Sequence, residues 1–339
     1  MTGPLLRSAK PLVAAPMAGG PSGVPLAEAV AGAGAFPFLA GGYKTPEALI
    51  EQIAQVRKLG VDFGVNLFVP DRMSVDPEVL ANYAAELQPE ADVYGLSLDP
   101  EPVEDEDYWQ QKLDLLTENP VPVVSLTFGV PAAAEVQRLQ AVGSTVLVSV
   151  TTAEEAATAQ GLGADGLVVQ GPLAGGHSAT HDPSRIPETV ETAQLVASIA
   201  EAVPLPVVGA GGVDGPATVR RILSAGAEAV AVGTLLLRTD EAGTSPTHRQ
   251  ALADPRFERT ALTRAFTGRP ARGLRNGFID RHPEAPVAYP AVHHLTKGLR
   301  QQAGQAGDAD RLHLWAGAGF RNAPAGPAAA VIDWLTDGL

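Results

Sequence analysis

A glycine-rich segment contains the side chain of this sequence that is best suited to acid–base chemistry. The stretch 166-GLVVQGPLAGGHSATH-181 is an apolar run that ends at Gln170 and leads into a loop with His177 after two glycines. An imidazole titrates near neutral pH, so His177 is predicted to act as a base or as a hydrogen-bond donor to a substrate. The amide of Gln170 can bond a carbonyl or ring nitrogen of a heterocycle. Loop histidines are more often structural, as we predict for His181, but the Gly-Gly pair lets a ligand approach His177 and favours a functional role.

Two further segments combine an apolar run with small residues in a way that suits phosphate binding. They are 206-PVVGAGGVDGPATVRRIL-223 and 229-AVAVGT-234, and each leads from a predicted strand into a helix or turn. Glycine lets backbone N–H groups approach a phosphate, and a helix N-terminus adds partial positive charge. Tight turns alone would also explain the glycines. Two such segments after the last two predicted strands, where α/β barrels commonly bind phosphate, favour a phosphate site.

Two side chains in the N-terminal third could also face a ligand. Asn66 interrupts the apolar run 64-GVNLFV-69, and an unpaired buried amide costs about 1–3 kcal/mol. A ligand or a neighbouring backbone group would satisfy it equally well. Met17, in 14-AAPMAGG-20, could pack against an aromatic ring system or simply fill the core.

Several other catalytic and metal-binding patterns are absent from the sequence. It has no cysteine, which excludes disulfides, thiolate catalysis and Cys-ligated metal sites. His293 and His294 are adjacent and would point in different directions, and no HExxH spacing occurs, so no metal site is predicted. There is neither a GxSxG nucleophile elbow nor a Walker A sequence. The glycines at 209–212 do not make a convincing dinucleotide fingerprint.

Composition and charge limit the class of protein and its partners. The 339 residues are 45% hydrophobic and 18% charged, which is typical of a globular chain. A formal net charge of −14 argues against a nucleic-acid partner, although backbone N–H groups or a local cation could still hold an anionic ligand. No run approaches the roughly 20 apolar residues of a membrane helix, and the N-terminal segment lacks a signal-peptide core. We therefore expect a cytoplasmic protein without a membrane partner, while the oligomeric state stays open.

The elements that must position these residues alternate between apolar runs and amphipathic stretches. Helix-like segments such as 46–60, 131–143 and 216–226 begin at or next to proline and end at glycine. The apolar runs are too continuous for half-exposed strands and suit strands covered on both faces. Eight such runs in alternation with helices predict a (β/α)8 TIM barrel, with an open doubly wound sheet as the alternative. The runs are 12–17, 35–41, 63–69, 121–128, 145–150, 166–171, 206–211 and 229–234.

Outside these repeats, three parts of the chain need a separate interpretation. A ninth apolar run, 92–99, and the acidic stretch 101–109 are predicted to lie in an elongated connection between the third and fourth strands. Residues 1–238 are then the barrel. Residues 239–322 contain no strand-like run and are predicted to form a helical cap over the barrel mouth, and 323–339 to return to the barrel as a final helix.

Taken together, the motifs resemble the nitronate monooxygenase family, formerly called 2-nitropropane dioxygenases. The resemblance covers almost the whole chain, and its most specific element is 170-QGPLAGGH-177. The remaining matching motifs are 15-APM-17, 66-NLF-68, 210-AGG-212, 233-GT-234, 267-TGRPARGLRN-276, 289-YPAVHHLTKGLR-300 and 314-LWAGAGF-320.

The resemblance implies a non-covalently bound FMN and gives each motif a role. His177 would lie beside the flavin in the family's catalytic position. Tyr289 and Lys297 would face an anionic substrate from the cap, the ammonium supplying a local cation. The phosphate would be held by backbone groups around Gly211, Gly212, Gly233 and Thr234. The isoalloxazine and ribityl chain would be lined by Met17, Gly19, Asn66, Gln170, Gly175 and the neighbouring Gly176.

The implied activity is oxidation of alkyl nitronates, or of neutral nitroalkanes, by FMN and dioxygen to carbonyl compounds and nitrogen oxyanions such as nitrite. The partners would be a small anionic nitro compound and O2. Two alternatives stay open: an FMN-dependent NAD(P)H reductase of quinones or enoyl thioesters, and a non-catalytic barrel that binds a phosphorylated ligand. The sequence departs from the family pattern at Leu173, Ala179 and His293, and these departures bear on the substrate rather than on FMN.

Overall fold

The computed structural model describes residues 5–70 and 75–339, which form a parallel barrel with additional elements at its carboxyl end. The strands in chain order are β1 (Leu12–Ala14), β2 (Phe38–Ala40), β3 (Gly64–Val69), β4 (Val123–Phe128), β5 (Thr145–Val150), β6 (Gly166–Gln170), β7 (Gly176–His177), β8 (Val207–Ala210), β9 (Ala229–Val232), β10 (Thr260–Thr263) and β11 (Ala271–Leu274). Eight of them form one sheet in the order β1-β9-β8-β6-β5-β4-β3-β2. The predicted seventh and eighth barrel strands are therefore β8 and β9.

The two ends of this sheet meet through a short bridge. Val13 of β1 pairs in parallel with Phe36, just before β2. The Phe36 N–H donates to the Leu12 carbonyl at 2.8 Å, and the Ala14 N–H donates to the Phe36 carbonyl at 2.9 Å. The sheet thus closes on itself, which confirms the (β/α)8 barrel and excludes the open doubly wound sheet.

Helices cover the outside of the barrel, as the sequence pattern predicts. At the start of the second, the Thr45 hydroxyl accepts a hydrogen bond from the Ala48 N–H, and Pro46 takes the first helical position. The helices are α1 (Val24–Gly32), α2 (Pro46–Arg57), α3 (Pro77–Asp92), α4 (Trp109–Glu118), α5 (Ala133–Ala141), α6 (Ala153–Gly161), α7 (Thr192–Ala202), α8 (Pro216–Ser224), α9 (Pro246–Ala251), α10 (Gly277–Arg281), α11 (Ala291–Gln305) and α12 (Ala328–Leu335).

The C-terminal helix α12 belongs to the outer layer of the barrel. Val331 and Ile332 are buried in one core cluster with Leu26 and Val30 of α1 and Ile222 of α8. This packing fills the gap between the first and last barrel helices. No helix within the described ranges has the length and apolar character that crossing a membrane requires.

The long connection between β3 and β4 lies where the sequence predicts it. Its ninth apolar run contains no strand: Asp92 ends α3, and the chain then turns. Leu96 and Leu98 pack against a buried cluster that includes Leu80 of α3 and Leu299 of α11. The contacts of Tyr94, Leu96 and Leu98 with this cluster account for the apolar residues of the run without an additional strand.

The segment after the barrel is not wholly helical, because two short strands accompany the helices of the predicted cap. Antiparallel β10 and β11 pair in register from Thr260↔Leu274 to Thr263↔Ala271, and β11 also pairs with β7. Their sequences, TALT and ARGL, are short and interrupted by polar residues, which is why no apolar run marks them. This small sheet fixes the backbone of His177, because Ala271 is its partner across the ladder.

Candidate active site

A cavity of about 1140 Å³ opens at the carboxyl ends of the barrel strands. This is the face on which TIM barrels carry their active sites. Tyr289 is buried behind the wall, with its ring centroid 5.9 Å from that of His177. All the other predicted site residues line the cavity: Met17, Gly19, Asn66, Gln170, Gly175, Gly176, His177, Gly211, Gly212, Gly233, Thr234 and Lys297.

The loop that carries His177 is held at both ends by Gln170. The Gln170 side-chain N–H donates to the His177 carbonyl at 3.1 Å, and its amide oxygen accepts from the Ala179 N–H at 2.8 Å. Both groups of the side-chain amide therefore bind protein backbone. Gln170 lines the cavity, and its observed contacts position the loop that carries His177.

The imidazole of His177 is enclosed by polar and aromatic neighbours. Its Nε2 lies 2.9 Å from the Thr267 hydroxyl oxygen, and the Phe128 and Trp315 ring centroids are within 5.6 Å of the imidazole centroid. Burial, together with the guanidinium groups of Arg269 and Arg300, lowers the pKa of His177 to about 3. The pKa of His177 therefore lies below the near-neutral value expected from the sequence, because burial favours the uncharged imidazole.

The loop after β8 has the geometry of an anion-binding turn. Gly211 and Gly212 have φ values of +99° and +71°. A Cβ on Gly211 would lie 2.8 Å from the Ala174 Cβ and 2.9 Å from the Gly171 carbonyl oxygen. Within residues 5–70 and 75–339, the turn and loop hydrogen bonds include none donated by the N–H groups of Gly211, Gly212 or Gly233. These donors line the cavity and have no acceptor in the part of the protein that the structure describes.

Thr234 connects this region to a further glycine loop. Its hydroxyl accepts a hydrogen bond of 2.9 Å from the Gly317 N–H. A Cβ on Gly317 would approach the Leu173 carbonyl to 2.8 Å, and one on Gly175 would approach the Gly317 nitrogen to 2.4 Å. The glycines thus let three backbone segments pack directly against one another at this end of the cavity.

Asn66 finds its partners on the neighbouring strand. Its side-chain N–H group donates to the Ser125 hydroxyl at 2.9 Å and to the Thr127 hydroxyl at 2.8 Å. The sequence analysis offered a ligand or a neighbouring backbone group as the partner of this amide, and in the structure protein neighbours satisfy its N–H groups. The Thr127 hydroxyl lies 2.9 Å from that of Ser149, so a polar row crosses the floor of the cavity from β3 to β5.

A cluster around Tyr43 belongs to the site and was not found from the sequence. The Tyr43 ring stacks on the His293 imidazole with centroids 4.5 Å apart and an interplanar angle of 8°. Its N–H donates to the Asp107 carboxylate at 2.9 Å. In the described ranges, the non-glycine residues with positive φ are Tyr43, Asp107, Tyr108 and Phe128, and all four line the cavity. Left-handed backbone at such residues is uncommon and often marks functional sites, but the sequence carries no signal for it.

The three residues that depart from the family pattern all lie close to the cavity or to the loop that carries His177. Leu173 accepts from the Ala318 N–H at 3.0 Å and helps to line a second cavity of about 170 Å³. Ala179 is buried and bonded to Gln170. His293 lies against Tyr43, whereas the adjacent His294 bonds the Asp105 carboxylate at 2.9 Å, so the two rings point apart as expected. No group of three or more His, Asp or Glu side chains in the described part of the chain could hold a metal ion.

Comparison with known proteins matches this architecture to one family. The profile described as nitronate monooxygenase matches residues 5–338. The chain belongs to the nitronate monooxygenase family. A probable nitronate monooxygenase of Bacillus subtilis is 33% identical over 317 residues, covering 92% of this chain and 91% of that protein. One from Staphylococcus saprophyticus is 32% identical over 324 residues, with 92% and 90% covered.

Solved structures give the same result for the fold of this nitronate monooxygenase family member. Nitroalkane oxidase from Streptomyces ansochromogenes superposes with a TM-score of 0.91 at 45% identity, covering 97% of this chain and 95% of that one. FabK from Thermotoga maritima, at 24% identity and a TM-score of 0.76, shares the fold. The chain is an oxidoreductase of this family.

Proposed function

We propose that the cavity binds FMN and that the enzyme oxidises alkyl nitronates with O2 to carbonyl compounds and nitrogen oxyanions such as nitrite. The main support for this proposal comes from the backbone N–H groups of Gly211, Gly212 and Gly233. They have no hydrogen-bond acceptor among the described residues, and they line the same cavity as His177. Backbone donors with no protein acceptor suit a phosphate and need no cationic side chain. This explains how a chain of net charge −14 can hold an anionic cofactor.

The other glycines would give the flavin ring room. Gly176 has a φ of +77° and open space within 4 Å of the position that a Cβ would occupy. Met17 presents its sulfur about 3.4 Å from the Cβ position of Gly233, so it would lie close to the bound ring or its ribityl chain. The remaining ring contacts would come from Gly19, Asn66, Gln170 and Gly175.

When bound, FMN supplies the electron chemistry, taking electrons from the nitronate and passing them to O2. The proposed roles of His177 are to hydrogen-bond the nitro group of the substrate and to accept the α-proton of a neutral nitroalkane. A threonine hydroxyl both donates and accepts, so Thr267 can support either neutral tautomer of the imidazole. With a proton on Nδ1, His177 donates a hydrogen bond to a nitro oxygen. With Nδ1 bare, it can accept the α-proton of a neutral nitroalkane.

The low pKa of His177 makes it less suited to accepting the α-proton of a neutral nitroalkane than to donating a hydrogen bond. A base with a pKa of about 3 is a weak proton acceptor at neutral pH. A nitronate has already lost its α-proton, so its oxidation requires no base. We therefore propose the nitronate anion as the preferred substrate, with Tyr289 and the exposed Lys297 on its cap side.

The visible spectrum of the purified protein and its anaerobic titration test this function. We expect a yellow protein whose flavin absorbance is bleached by propyl-2-nitronate and not by NADH or NADPH. Rapid bleaching by NADH or NADPH would instead make the protein a reductase. A colourless protein that takes up no FMN would contradict both functions and favour a barrel that binds some other phosphorylated ligand.

A further inference from the structure

Arg300 is a buried cation on the cavity wall, and the sequence analysis predicts no role for it. It lies on α11, and only 7% of the residue is exposed. Its Nε donates to the Thr296 hydroxyl at 3.0 Å, and one Nη2 hydrogen bond reaches the His293 carbonyl at 2.9 Å. The same Nη2 lies 3.3 Å from the His293 Nδ1. These contacts orient the guanidinium firmly and involve only its Nε and Nη2 atoms.

The charge of this guanidinium has no carboxylate counterion among the described residues. Across residues 5–70 and 75–339, no carboxylate oxygen lies within 4.0 Å of Arg300. A guanidinium has five N–H donors, and the two on Nη1 have no acceptor in that part of the chain. Burial lowers the pKa of Arg300 to about 10, so it remains charged at neutral pH. A buried cation is costly unless an anion compensates it.

The groups around Arg300 leave an anionic ligand as its natural partner. The neighbours that interact with it electrostatically are neutral imidazoles and phenols: His177, His293, His313, Tyr43 and Tyr289. Lys297, one turn earlier on α11, is exposed, so water screens its charge. The strong anion-binding group of this wall is therefore the arginine and not the lysine.

We propose that Arg300 binds the substrate nitro group through its Nη1 and thereby selects the nitronate anion over the neutral nitroalkane. The identity of the anion rests on the proposed function, whereas the presence of an anion site does not. A nitronate spreads a net negative charge over its two oxygens, and the two N–H groups on Nη1, which have no acceptor among the described residues, can donate to that charge. A neutral nitro group carries no net charge and gains less from the same contact.

Binding of nitrate, an unreactive planar oxyanion, tests the anion site directly. We would titrate the purified full-length protein with nitrate by calorimetry and compare it with Arg300→Met, Arg300→Lys and Arg57→Met. Arg57 lies on the exposed side of α2 and supplies the same chemical change away from the cavity. We expect at least tenfold weaker binding in Arg300→Met, about threefold to tenfold weaker binding in Arg300→Lys, and no change in Arg57→Met. The lysine keeps the positive charge but lacks the planar guanidinium that Thr296 and His293 hold in place.

Steady-state kinetics then separate anion selection from a structural role. Arg300→Met should raise KM for propyl-2-nitronate at least tenfold and change KM for neutral 2-nitropropane less than threefold. Equal effects on both substrates, or unchanged nitrate affinity in Arg300→Met, would overturn the proposal. If Arg300→Met does not fold, unchanged nitrate affinity in Arg300→Lys would do so. If nitrate binding is lost in the variant but the wild type oxidises no nitronate, the anion site stands and the proposed function is wrong.

Discussion

The imidazole of His177 shows how far the fold can change the chemistry of a single residue. In a solvated loop it would titrate near pH 6.5. Here the aromatic rings of Phe128 and Trp315 and two guanidinium groups hold it neutral. We therefore propose that His177 mainly donates a hydrogen bond to an anionic substrate. If it removes a proton from a neutral nitroalkane, the nitronate anion that forms must stabilise the protonated imidazole.

Replacing His177 with asparagine should separate these two tasks. Asparagine keeps a hydrogen-bond donor but cannot accept the α-proton. We expect kcat/KM for 2-nitropropane to fall by about 10²-fold or more, since general base catalysis typically contributes that much. Turnover of propyl-2-nitronate should fall by less than about tenfold, and FMN content should not change.

The same substitution at His181 is the matched control for that experiment. His181 lies four residues further on, with its Nε2 at 3.0 Å from the Ser149 carbonyl, and it does not line the cavity. His181→Asn should leave the ratio of the two activities unchanged. Equal losses on both substrates in His177→Asn would refute the base role.

At the scale of elements, the site depends on backbone segments that only glycine lets approach one another. The loop after β8 lies against the loop that leads to His177, with Gly211 at the contact. The small sheet of β7, β10 and β11 then ties that loop to the segment covering the barrel. Loop packing would therefore couple the proposed FMN binding to the position of the imidazole.

Gly211→Ala should weaken FMN binding by disturbing this contact. The new methyl group would collide with the Ala174 Cβ and the Gly171 carbonyl, and alanine also disfavours a φ of +99°. We expect FMN to bind at least tenfold more weakly and the free energy of unfolding to fall by about 3 kcal/mol. Fluorescence titration with FMN and chemical unfolding of the apoprotein measure the two effects.

Gly60→Ala provides the comparison for backbone strain alone. Gly60 has a φ of +68° and open space around its Cβ position, far from the cavity. Its substitution should cost about 1 kcal/mol and leave FMN affinity unchanged. If Gly211→Ala binds FMN as tightly as Gly60→Ala does, the loop after β8 does not hold the phosphate.

For the molecule as a whole, buried neutral histidines should make the fold sensitive to acid. The pKa of His177 is lowered to about 3, that of His248 to about 4 and that of His293 to about 2, mainly by burial. The unfolded chain protonates these groups below about pH 6.5, whereas the folded chain does not. Stability is therefore full above that pH and is lost as the pH falls toward the folded values, by about 2 kcal/mol per histidine between pH 7 and pH 5.

His248→Gln tests this linkage at one position. Glutamine does not titrate, so the variant should lose about 2 kcal/mol less than the wild type between pH 7 and pH 5. Urea unfolding of both proteins at the two pH values gives the difference, whatever the absolute stability of the variant. Parallel losses in the two proteins would show that His248 is not kept neutral by folding.

Local patterns in the sequence determined the barrel and most of the site. Continuous apolar runs, proline at helix starts and glycine at helix ends act over a few residues, so they predict strands and helices directly. Because the carboxyl ends of parallel strands meet on one face, the order of motifs also placed Met17, Asn66, Gln170 and His177 around one cavity. The motif resemblance to the nitronate monooxygenase family agrees with that placement.

Only the tertiary structure decided how these residues are charged and which others join them. Tyr43, Phe128 and Arg300 reach the cavity through left-handed backbone or a long helix, and neither leaves a spacing in the sequence. The short strands β10 and β11 pair with each other, and β11 also pairs with β7, so these contacts join segments that are far apart in the sequence. The pKa of His177 and the unpaired charge of Arg300 depend on burial by distant segments. Desolvation and charge proximity are properties of three-dimensional packing, and the order of residues does not carry them.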